Sequence, residues 1–379
     1  MKLAAIVCEY NPFHKGHQYH IEETKRKTGC DGVVAVMSGN FVQRGEAALF
    51  SKDLRAKSAV LGGADLVLEL TPFFAVRSAE QFAKDALKII TSIPEVKYLS
   101  FGVEEENLDT FKKVSEILTE EPEIYKNALK EELDKGVSYP VARQNALIKM
   151  GEVDGVRIIS SPNNILGVEY LKALRRFDSH IEPVLVKRIG AAHDSMESGE
   201  NVSASFLRAA YLKGDKTAFE NGILGESVNL NSALSKTDFD KMILSRIITM
   251  SEEEIKEISE VSEGLENRIK KAAKESKTIE ELAEKVKSKR YTLSKIRRIL
   301  LCAGLGVKKE EIYDLPPYAK ILAFNETGQK ILNKIKKTSD IPIVKNMTAL
   351  KKLGDKNLIR QYEREIELDR LYELYTEEK

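Results

Sequence analysis

Two histidines, His14 and His17, stand three positions apart around Lys15 and Gly16, directly after a short apolar run. Positions three apart lie on one face of a helix once the helix has begun. Helix N-termini present free amides and the positive end of the helix dipole, which attract phosphate and disfavour imidazolium. Neutral imidazoles there would donate hydrogen bonds to phosphate oxygens during attack at the α-phosphorus of a nucleotide. The pair therefore predicts nucleotide binding.

Two elements must hold this pair in place. Residues 3–7 form an unbroken apolar run that predicts a buried strand, and residues 18–27 are compatible with a helix. Pro12 suits the tight loop between them, and Gly16 would let the backbone approach a ligand. A zinc pair and two ordinary polar loop residues are the plainer interpretations. Zinc requires three or four ligands, whereas the chain has five His, three Cys and no Cys-x-x-Cys motif, which favours the nucleotide.

Four further runs extend the pattern to a sheet. They are mostly apolar, end near turn residues and cover residues 32–37, 65–70, 97–102 and 183–188. Strand–helix–strand connections at this spacing are right-handed crossovers, and ligands bind beyond the carboxyl ends of parallel strands. We therefore expect an α/β fold with a Rossmann-like parallel sheet.

Several polar residues are expected at that edge. Arg188 ends the last run, where a triphosphate needs charge compensation, and the guanidinium of Arg44 can pair with a carboxylate substrate or with phosphates. A solvated loop arginine is the plainer interpretation of Arg44. Asn163 and Asn164 precede a helical run, so one of them is expected to cap that helix and the other to contact a base or ribose. Gly102 would let a nucleobase or ribose lie close to the backbone.

Longer runs of sequence carry a family resemblance. The run HKGH at 14–17 resembles the His-x-Gly-His signature of the nucleotidyltransferase superfamily. The runs EYNPFH at 9–14, MSGNF at 37–41, QRGE at 43–46 and SPNNILG at 161–167 resemble the bacterial tRNA(Met) cytidine acetate ligases. The run VSASFLR at 202–208 is similar to the second motif of the superfamily, with departures at Ala204 and Ser205 that leave open which hydroxyl contacts phosphate. A plain helix capped by Ser203 is the alternative there.

The resemblance implies an ATP-dependent ligase. Acetate would attack the α-phosphorus of ATP, and the acetyl-adenylate would acylate the wobble cytidine of elongator tRNA(Met) to N4-acetylcytidine, with release of AMP and pyrophosphate. The catalytic residues would be His14, His17, Arg44, Ser205 and Arg208. The expected ATP-binding residues are Val7, Cys8, Glu9, Tyr10, Asn11, Pro12, Phe13, His14, Lys15, Gly16, His17, Gln18, Tyr19, His20, Gly102, Asn163, Asn164 and Arg188. Mg²⁺ is expected with the triphosphate, although no carboxylate cluster marks its ligands.

Length and charge suggest how RNA would be held. The 379 residues, of which 42% are hydrophobic, predict two domains: residues 1–230 with a helical insertion at about 108–150, and an all-helical domain at 231–379. Net charge is only +1, so RNA needs a local basic patch. Residues 268–298 contain twelve Lys or Arg and four Glu, although a solvated helix face would look similar. The expected tRNA-binding residues are Lys289, Arg290, Tyr291, Lys295, Arg297 and Arg298.

The cysteine content and the hydropathy of the chain predict where in the cell the protein is found. Three widely spaced cysteines are typical of a reduced cytoplasmic protein, and we expect neither a signal peptide nor a membrane span. Three other functions stay open: a carboxylate-activating ligase with a small amine acceptor, a nucleotidyltransferase acting on a phosphorylated metabolite, and a non-enzymatic tRNA-binding protein. The sequence nominates no general base, protein partner or oligomeric state.

Overall fold

The sheet is built from short apolar segments of the chain. A computed structural model describes residues 1–188, 203–223, 233–262 and 264–376. The described strands are β1 (Leu3–Cys8), β2 (Gly32–Ser38), β3 (Phe41–Val42), β4 (Glu46–Ala47), β5 (Leu66–Leu70), β6 (Val96–Val103), β7 (Glu182–Lys187), β8 (Ala319–Phe324) and β9 (Ile343–Val344).

Seven strands form one twisted layer in the order β7-β6-β1-β2-β5-β8-β9, and β3 pairs with β4 in a separate hairpin. The strands β7, β6, β1, β2 and β5 run parallel, with Leu3 opposite Gly32 and Val34 opposite Leu66. Strands β1, β2 and β5 are buried almost throughout, as their mostly apolar runs predicted. The expected α/β fold with a mainly parallel sheet is confirmed.

Helices cover the sheet and fill much of the second half of the chain. Those before residue 223 are α1 (Lys15–Thr28), α2 (Lys52–Leu61), α3 (Pro72–Ala75), α4 (Ala79–Thr91), α5 (Leu108–Glu120), α6 (Glu123–Asp134), α7 (Tyr139–Lys149), α8 (Val153–Ile158), α9 (Pro162–Arg176), α10 (Ala204–Leu212) and α11 (Lys216–Gly222). The later ones are α12 (Lys236–Thr249), α13 (Glu252–Lys256), α14 (Leu265–Ala273), α15 (Ile279–Val286), α16 (Leu293–Leu305), α17 (Glu326–Thr338), α18 (Met347–Lys351) and α19 (Lys356–Glu373). Helices α5, α6 and α7 occupy the expected insertion. No described helix combines the length and apolar character that a membrane crossing requires.

The expectation of an all-helical C-terminal part needs a correction. Strand β8 pairs antiparallel with β5, and β9 pairs with β8, so both extend the sheet begun by the first residues of the chain. The six residues of β8 escape pattern analysis because their run is short and begins beside a buried lysine, Lys320. The domain boundary near residue 230 stays a prediction, and these two strands link the residues on either side of it.

A buried group of charges joins these parts. Glu69 on β5 accepts hydrogen bonds from Lys52 at 2.9 and 3.0 Å and lies 3.2 Å from the ammonium of Lys320 on β8. Helix α19 adds Glu365, 3.3 Å from Lys320, and Asp369, which contacts Lys52 at 2.5 Å. Two cations thus face three carboxylates in the interior. We call these five residues the buried charge cluster.

Candidate functional site

A cavity of about 540 Å³ opens beyond the carboxyl ends of β1 and β6. Its size suits a nucleotide-sized ligand. Fifteen residues predicted for ATP, catalysis or tRNA line it: Val7, Cys8, Glu9, Tyr10, Asn11, His14, His17, His20, Arg44, Gly102, Asn163, Arg188, Ser205, Arg208 and Arg297. Phe82, Phe101, Ile165, Leu166 and Tyr170 add an apolar wall, and none of them was among the expected site residues.

The two histidines form the N-terminus of α1. His14 is the N-cap, and its Nδ1 accepts the amide hydrogen of Gly16 at 3.1 Å. His17 Nδ1 accepts the amide hydrogen of His14 at 3.3 Å, and the two ring centroids are 3.7 Å apart. Because both Nδ1 atoms accept, the neutral form of each ring carries its proton on Nε2. A β-carbon on residue 16 would lie 2.9 Å from His14 Cε1, so Gly16 makes room for the His14 ring.

Both imidazoles are held neutral. Burial, followed by the positive charge of Arg188, lowers the pKa of His14 to about 3. Burial and the neighbouring His14 hold the pKa of His17 well below its usual range. The sequence attributed this neutrality to the helix dipole, whereas removal from water is the larger cause here. Each ring can therefore donate an Nε2 hydrogen bond to a phosphate oxygen across the whole physiological pH range.

His20 continues the same face of α1 by one further turn. Its Nε2 lies 3.0 Å from Ser100 Oγ, which in turn is 2.7 Å from Thr24 Oγ1. Burial, together with Arg188 and Lys27, lowers the pKa of His20 to about 4. His20 is therefore a third neutral imidazole. It lines the cavity, and its Nε2 also contacts Ser100 on β6.

Arg188 lies across Gly102 at the end of β6 and β7. A β-carbon on residue 102 would meet Arg188 Cγ at 3.5 Å, an ordinary contact, so only a side chain larger than a methyl group would press on the stem of the arginine. The Nε atom of Arg188 lies 3.6 Å from Glu104 Oε1. Asn163 Nδ2 donates to the same oxygen at 2.9 Å, so Glu104 connects the arginine to α9.

The expectation that Asn163 or Asn164 caps α9 is wrong. Ser161 is the N-cap residue and Pro162 begins the helix, so both asparagines already lie in its first turn. Asn164 is buried, and its Oδ1 accepts the amide hydrogen of Glu104 at 3.1 Å. Its carboxamide is thus engaged with the backbone after β6, while Asn163 alone of the two lines the cavity.

Helix α10 brings the second motif to the same cavity. Ser203 is its N-cap and accepts the amide hydrogen of Phe206 at 3.1 Å, as the sequence predicted. Arg208 donates from Nη1 to the carbonyl oxygen of Asn11 at 2.7 Å, and its Nη2 lies 3.4 Å from both Ser205 Oγ and Glu46 Oε1. The second motif and the loop of the first motif are therefore in direct contact.

A third helix start reaches the cavity from the C-terminal half. Ser294 and Arg297 of α16 line it. The β3–β4 turn explains how: Gly45 has φ +79°, and a β-carbon there would lie 2.4 Å from the backbone nitrogen of Arg298. Only glycine allows α16 to pack this closely on the turn that carries Arg44.

The whole chain, residues 1–379, matches the family model described as HIGH Nucleotidyl Transferase. A tRNA(Met) cytidine acetate ligase from Acetivibrio thermocellus is 44% identical, covering 98% of this chain and 94% of the relative. The chain belongs to the tRNA(Met) cytidine acetate ligase family. A member from Clostridium tetani is 40% identical over 91% of this chain and 90% of its own. Thermotoga maritima TmcAL, crystallised with alpha-thio ATP, superposes with a TM-score of 0.89 at 32% identity, covering 100% of this chain and 95% of that chain.

Within this ligase-family fold, some predicted ATP-binding residues do not line the cavity. Pro12, Phe13, Lys15, Gly16, Gln18, Tyr19 and Asn164 are outside the described lining. Phe13 is buried and packs edge-on against Tyr10, with ring centroids 4.9 Å apart. The ring of Tyr10 in turn lies 4.8 Å from that of His17. Phe13 therefore supports the histidine from behind, and a direct contact of these seven residues with ATP stays a prediction.

The expected tRNA-binding residues divide into three kinds. Lys289 and Arg290 are exposed, whereas Arg297 lines the cavity. Tyr291 lies between Arg290 and Lys295, and its hydroxyl is 2.9 Å from Ser262 Oγ. The ring is half-buried, which restricts it as a platform for a stacked base.

Arg298 is buried, so its expected place on the RNA-binding surface is wrong. Its side chain is 7% exposed and pairs with Glu260 at 3.2 Å through both Nε and Nη2. Neighbouring helix positions point about 100° apart, so Arg297 reaches the cavity while Arg298 turns into the core. Both arginines belong to the basic run at 268–298 that predicted RNA binding, and the packing of α16 distinguishes them.

The described residues contain no group of three or more His, Cys, Asp or Glu that could hold a metal ion. The described cavity lining offers four arginines and one carboxylate, Glu9. Mg²⁺ prefers several oxygen ligands, so the described lining does not supply a protein-based magnesium site.

Proposed function

We propose that this protein is an ATP-dependent ligase that activates acetate as acetyl-adenylate and transfers the acetyl group to the wobble cytidine of elongator tRNA(Met), forming N4-acetylcytidine and releasing AMP and pyrophosphate. The observation that carries the proposal is the neutral pair His14 and His17 facing one cavity with several arginines. The proposal places the protein in the cytoplasm, where its tRNA substrate is found.

The first half-reaction is attack of an acetate oxygen on the α-phosphorus of ATP. The Nε2 hydrogens of His14 and His17 are positioned to stabilise charge on the phosphate oxygens. Arg188 and Arg208 both line the cavity and would supply positive charge, and the Ser205 hydroxyl lies within reach of Arg208. Positioning and charge stabilisation suffice for phosphoryl chemistry of this kind. Mg²⁺ enters the proposal only as an ion carried by the triphosphate.

Arg44 is the arginine best suited to acetate. It follows Gln43 at the cavity edge, on the turn against which α16 packs. A guanidinium pairs with a carboxylate through two parallel hydrogen bonds, which would orient acetate for attack.

The second half-reaction requires the anticodon loop to reach the same cavity. Arg297 lines the cavity, and the exposed Lys289 and Arg290 precede the same helix, α16, in the chain, so these cations would bind backbone phosphates beside the reacting base.

Incubation of the protein with ATP, radiolabelled acetate and bulk tRNA tests the function. We expect AMP release together with acid-stable label in RNA that digests to N4-acetylcytidine. Replacement of both His14 and His17 by Ala should abolish AMP release while leaving the circular dichroism spectrum unchanged. AMP without labelled RNA would instead indicate a ligase with a small amine acceptor. Absence of both products would refute the proposal.

The RNA surface has its own test. Charge reversal of Lys289 and Arg290 should weaken binding of tRNA by about tenfold. It should also lower the slope of log affinity against log salt concentration by about two, because about two fewer counterions are released. Reversal of Lys351 and Lys352, an exposed pair on α18 and just after it, is the matched control and should leave affinity unchanged. Reversal of Arg297 should weaken both tRNA binding and AMP formation, since it lines the cavity. Equal affinities of the two double variants would remove this surface from the proposal.

A further inference from the structure

One residue of the cavity differs in charge from its surroundings. Glu9 is the one carboxylate among the described lining residues, which also include the four arginines Arg44, Arg188, Arg208 and Arg297. A cavity built for a triphosphate gains nothing from a negative charge, because the like charges repel. The place of Glu9 therefore calls for a role towards a group other than phosphate.

The carboxylate is fixed in position. Glu9 directly follows β1, and its Oε1 accepts the amide hydrogen of Gln43 at 2.8 Å. Its main-chain carbonyl accepts a hydrogen bond from the buried guanidinium of Arg55, which also binds the carbonyl oxygens of Ser38 and Gly39. Within the described part of the chain, no hydrogen bond engages the second carboxylate oxygen. A rigid support thus presents one acceptor oxygen at the cavity.

The other lining groups that could take up a proton are unsuited to do so. Burial keeps the pKa of His14, His17 and His20 far below neutrality, so these rings bind a proton weakly. Burial also raises the pKa values of the Cys8 thiol and the Tyr10 phenol, so both stay protonated near neutral pH. Of the described lining side chains, Glu9 alone can be an effective proton acceptor near neutral pH.

We propose that the Glu9 carboxylate receives the exocyclic amino group of the target cytosine and acts as the general base of the acetyl-transfer step. Carboxylates accept hydrogen bonds from the cytosine N4 amine, so the same oxygen would select the base and orient its nucleophile. This inference rests on the proposed function, of which it explains the second half-reaction.

The step balances as follows in atoms and charge. The N4 lone pair forms a bond to the acetyl carbonyl carbon, and the bond from that carbon to the adenylate oxygen breaks, so AMP leaves with the electron pair. The extra N4 proton passes to Glu9 and then to solvent. The N4 lone pair is delocalised into the pyrimidine ring, so the amine is a weak nucleophile. Removal of this proton by a base as the bond forms therefore lowers the barrier of the attack.

Surrounding charges set how Glu9 responds to pH. Burial raises its pKa above the ordinary 4.5, while the Gln43 amide, Arg44 and Arg208 lower it again and Glu46 raises it. Arg55, Cys8 and Tyr170 are the other titratable groups whose charges interact with it. The net pKa is raised, so the ionised base is lost as pH falls through this raised value. Acetyl transfer should therefore show an acid limb that depends on Glu9.

The test separates the two half-reactions. The Glu9→Gln variant keeps an oxygen that can accept the Gln43 amide hydrogen but cannot take a proton. Acetate-dependent ATP–pyrophosphate exchange reports activation, and single-turnover transfer of radiolabelled acetate to an elongator tRNA(Met) transcript reports acyl transfer. Glu22→Gln, on the exposed side of α1, is the matched control.

We expect the ratio of the transfer rate to the exchange rate to fall by about 100-fold or more in Glu9→Gln, and the acid limb of transfer to disappear. Glu22→Gln should match wild type in both assays. Equal transfer rates, or exchange and transfer that fall together, would overturn the role of Glu9 as a base. Wild-type protein that shows no acetate-dependent exchange would refute the proposed function itself and this inference with it.

Discussion

Replacement of Glu69 by Gln should destabilise the protein strongly although it barely changes the shape of the side chain. Glu69 is fully buried on β5 and pairs with the ammonium groups of Lys52 and Lys320. The neutral amide would remove the carboxylate that both ammonium groups share and would leave them with Glu365 and Asp369, whose pKa values are raised by burial. Loss of one partner from a buried ionic group is more harmful than replacement of the whole group by apolar residues.

The structure gives the size of the effect. Burial alone would raise the pKa of Glu69, but Lys320 and Lys52 outweigh it and hold the pKa at about 2, below the ordinary 4.5. That difference corresponds to about 3 kcal/mol of stability at neutral pH, in the range of about 3–5 kcal/mol typical of a broken buried pair. The lowered pKa means that this stability is complete above about pH 4.5 and is lost as pH falls towards 2.

Urea unfolding followed by circular dichroism measures the effect at pH 7, with Glu22→Gln as the exposed control. The free energy of unfolding of Glu69→Gln should be lower than that of wild type by about 3 kcal/mol, and the control should differ by less than about 0.5 kcal/mol. The gap between Glu69→Gln and wild type should narrow as the pH is lowered below 4.5. A loss smaller than about 1 kcal/mol at pH 7 would refute the ionic role assigned to the buried charge cluster.

Three further outcomes are expected. Since the pKa of His14 is about 3 and that of His17 is also far below neutrality, acetate-dependent pyrophosphate exchange should stay level from about pH 5.5 to 8, and a limb near 6.5 would contradict this. Gly102→Leu should displace Arg188 and raise the KM for ATP by about tenfold without loss of folded structure, as kinetics and circular dichroism would show. Ser203→Ala should lower the free energy of unfolding by about 1 kcal/mol in urea titrations because the α10 cap is lost.

Local patterns predicted the parallel part of the sheet well. Strands β1, β2 and β5 are mostly apolar because both their faces are covered, and such runs are visible in the sequence. Strand β8 was missed because what recruits it is distant in sequence. Lys320 is buried there only because Glu69 and helix α19 compensate its charge, and no local pattern reveals that pairing.

The site divides in the same way. The histidine pair was predictable because strand, loop and helix start all lie within about twenty residues. Arg297 and Arg298 are alike in sequence, but Arg297 lines the cavity and Arg298 is buried. The close approach of α16 to Gly45 decides which of them faces the cavity. One of Asn163 and Asn164 was expected to cap a helix that instead begins earlier, at Pro162. Long-range packing, rather than residue type, determined the different places of the two arginines.

The antiparallel pairing of β8 with β5 has a consequence for biosynthesis. On the ribosome, the first 230 residues emerge with the β5 edge bare and with Glu69 lacking its partner from β8. The side-chain amide of Asn40, just beyond β2, also lacks its hydrogen-bond acceptor, Asp369, until α19 has been made. The nascent ATP-binding half therefore completes its interior only when nearly the entire polypeptide has been translated, which leaves an extended period in which chaperones can engage it.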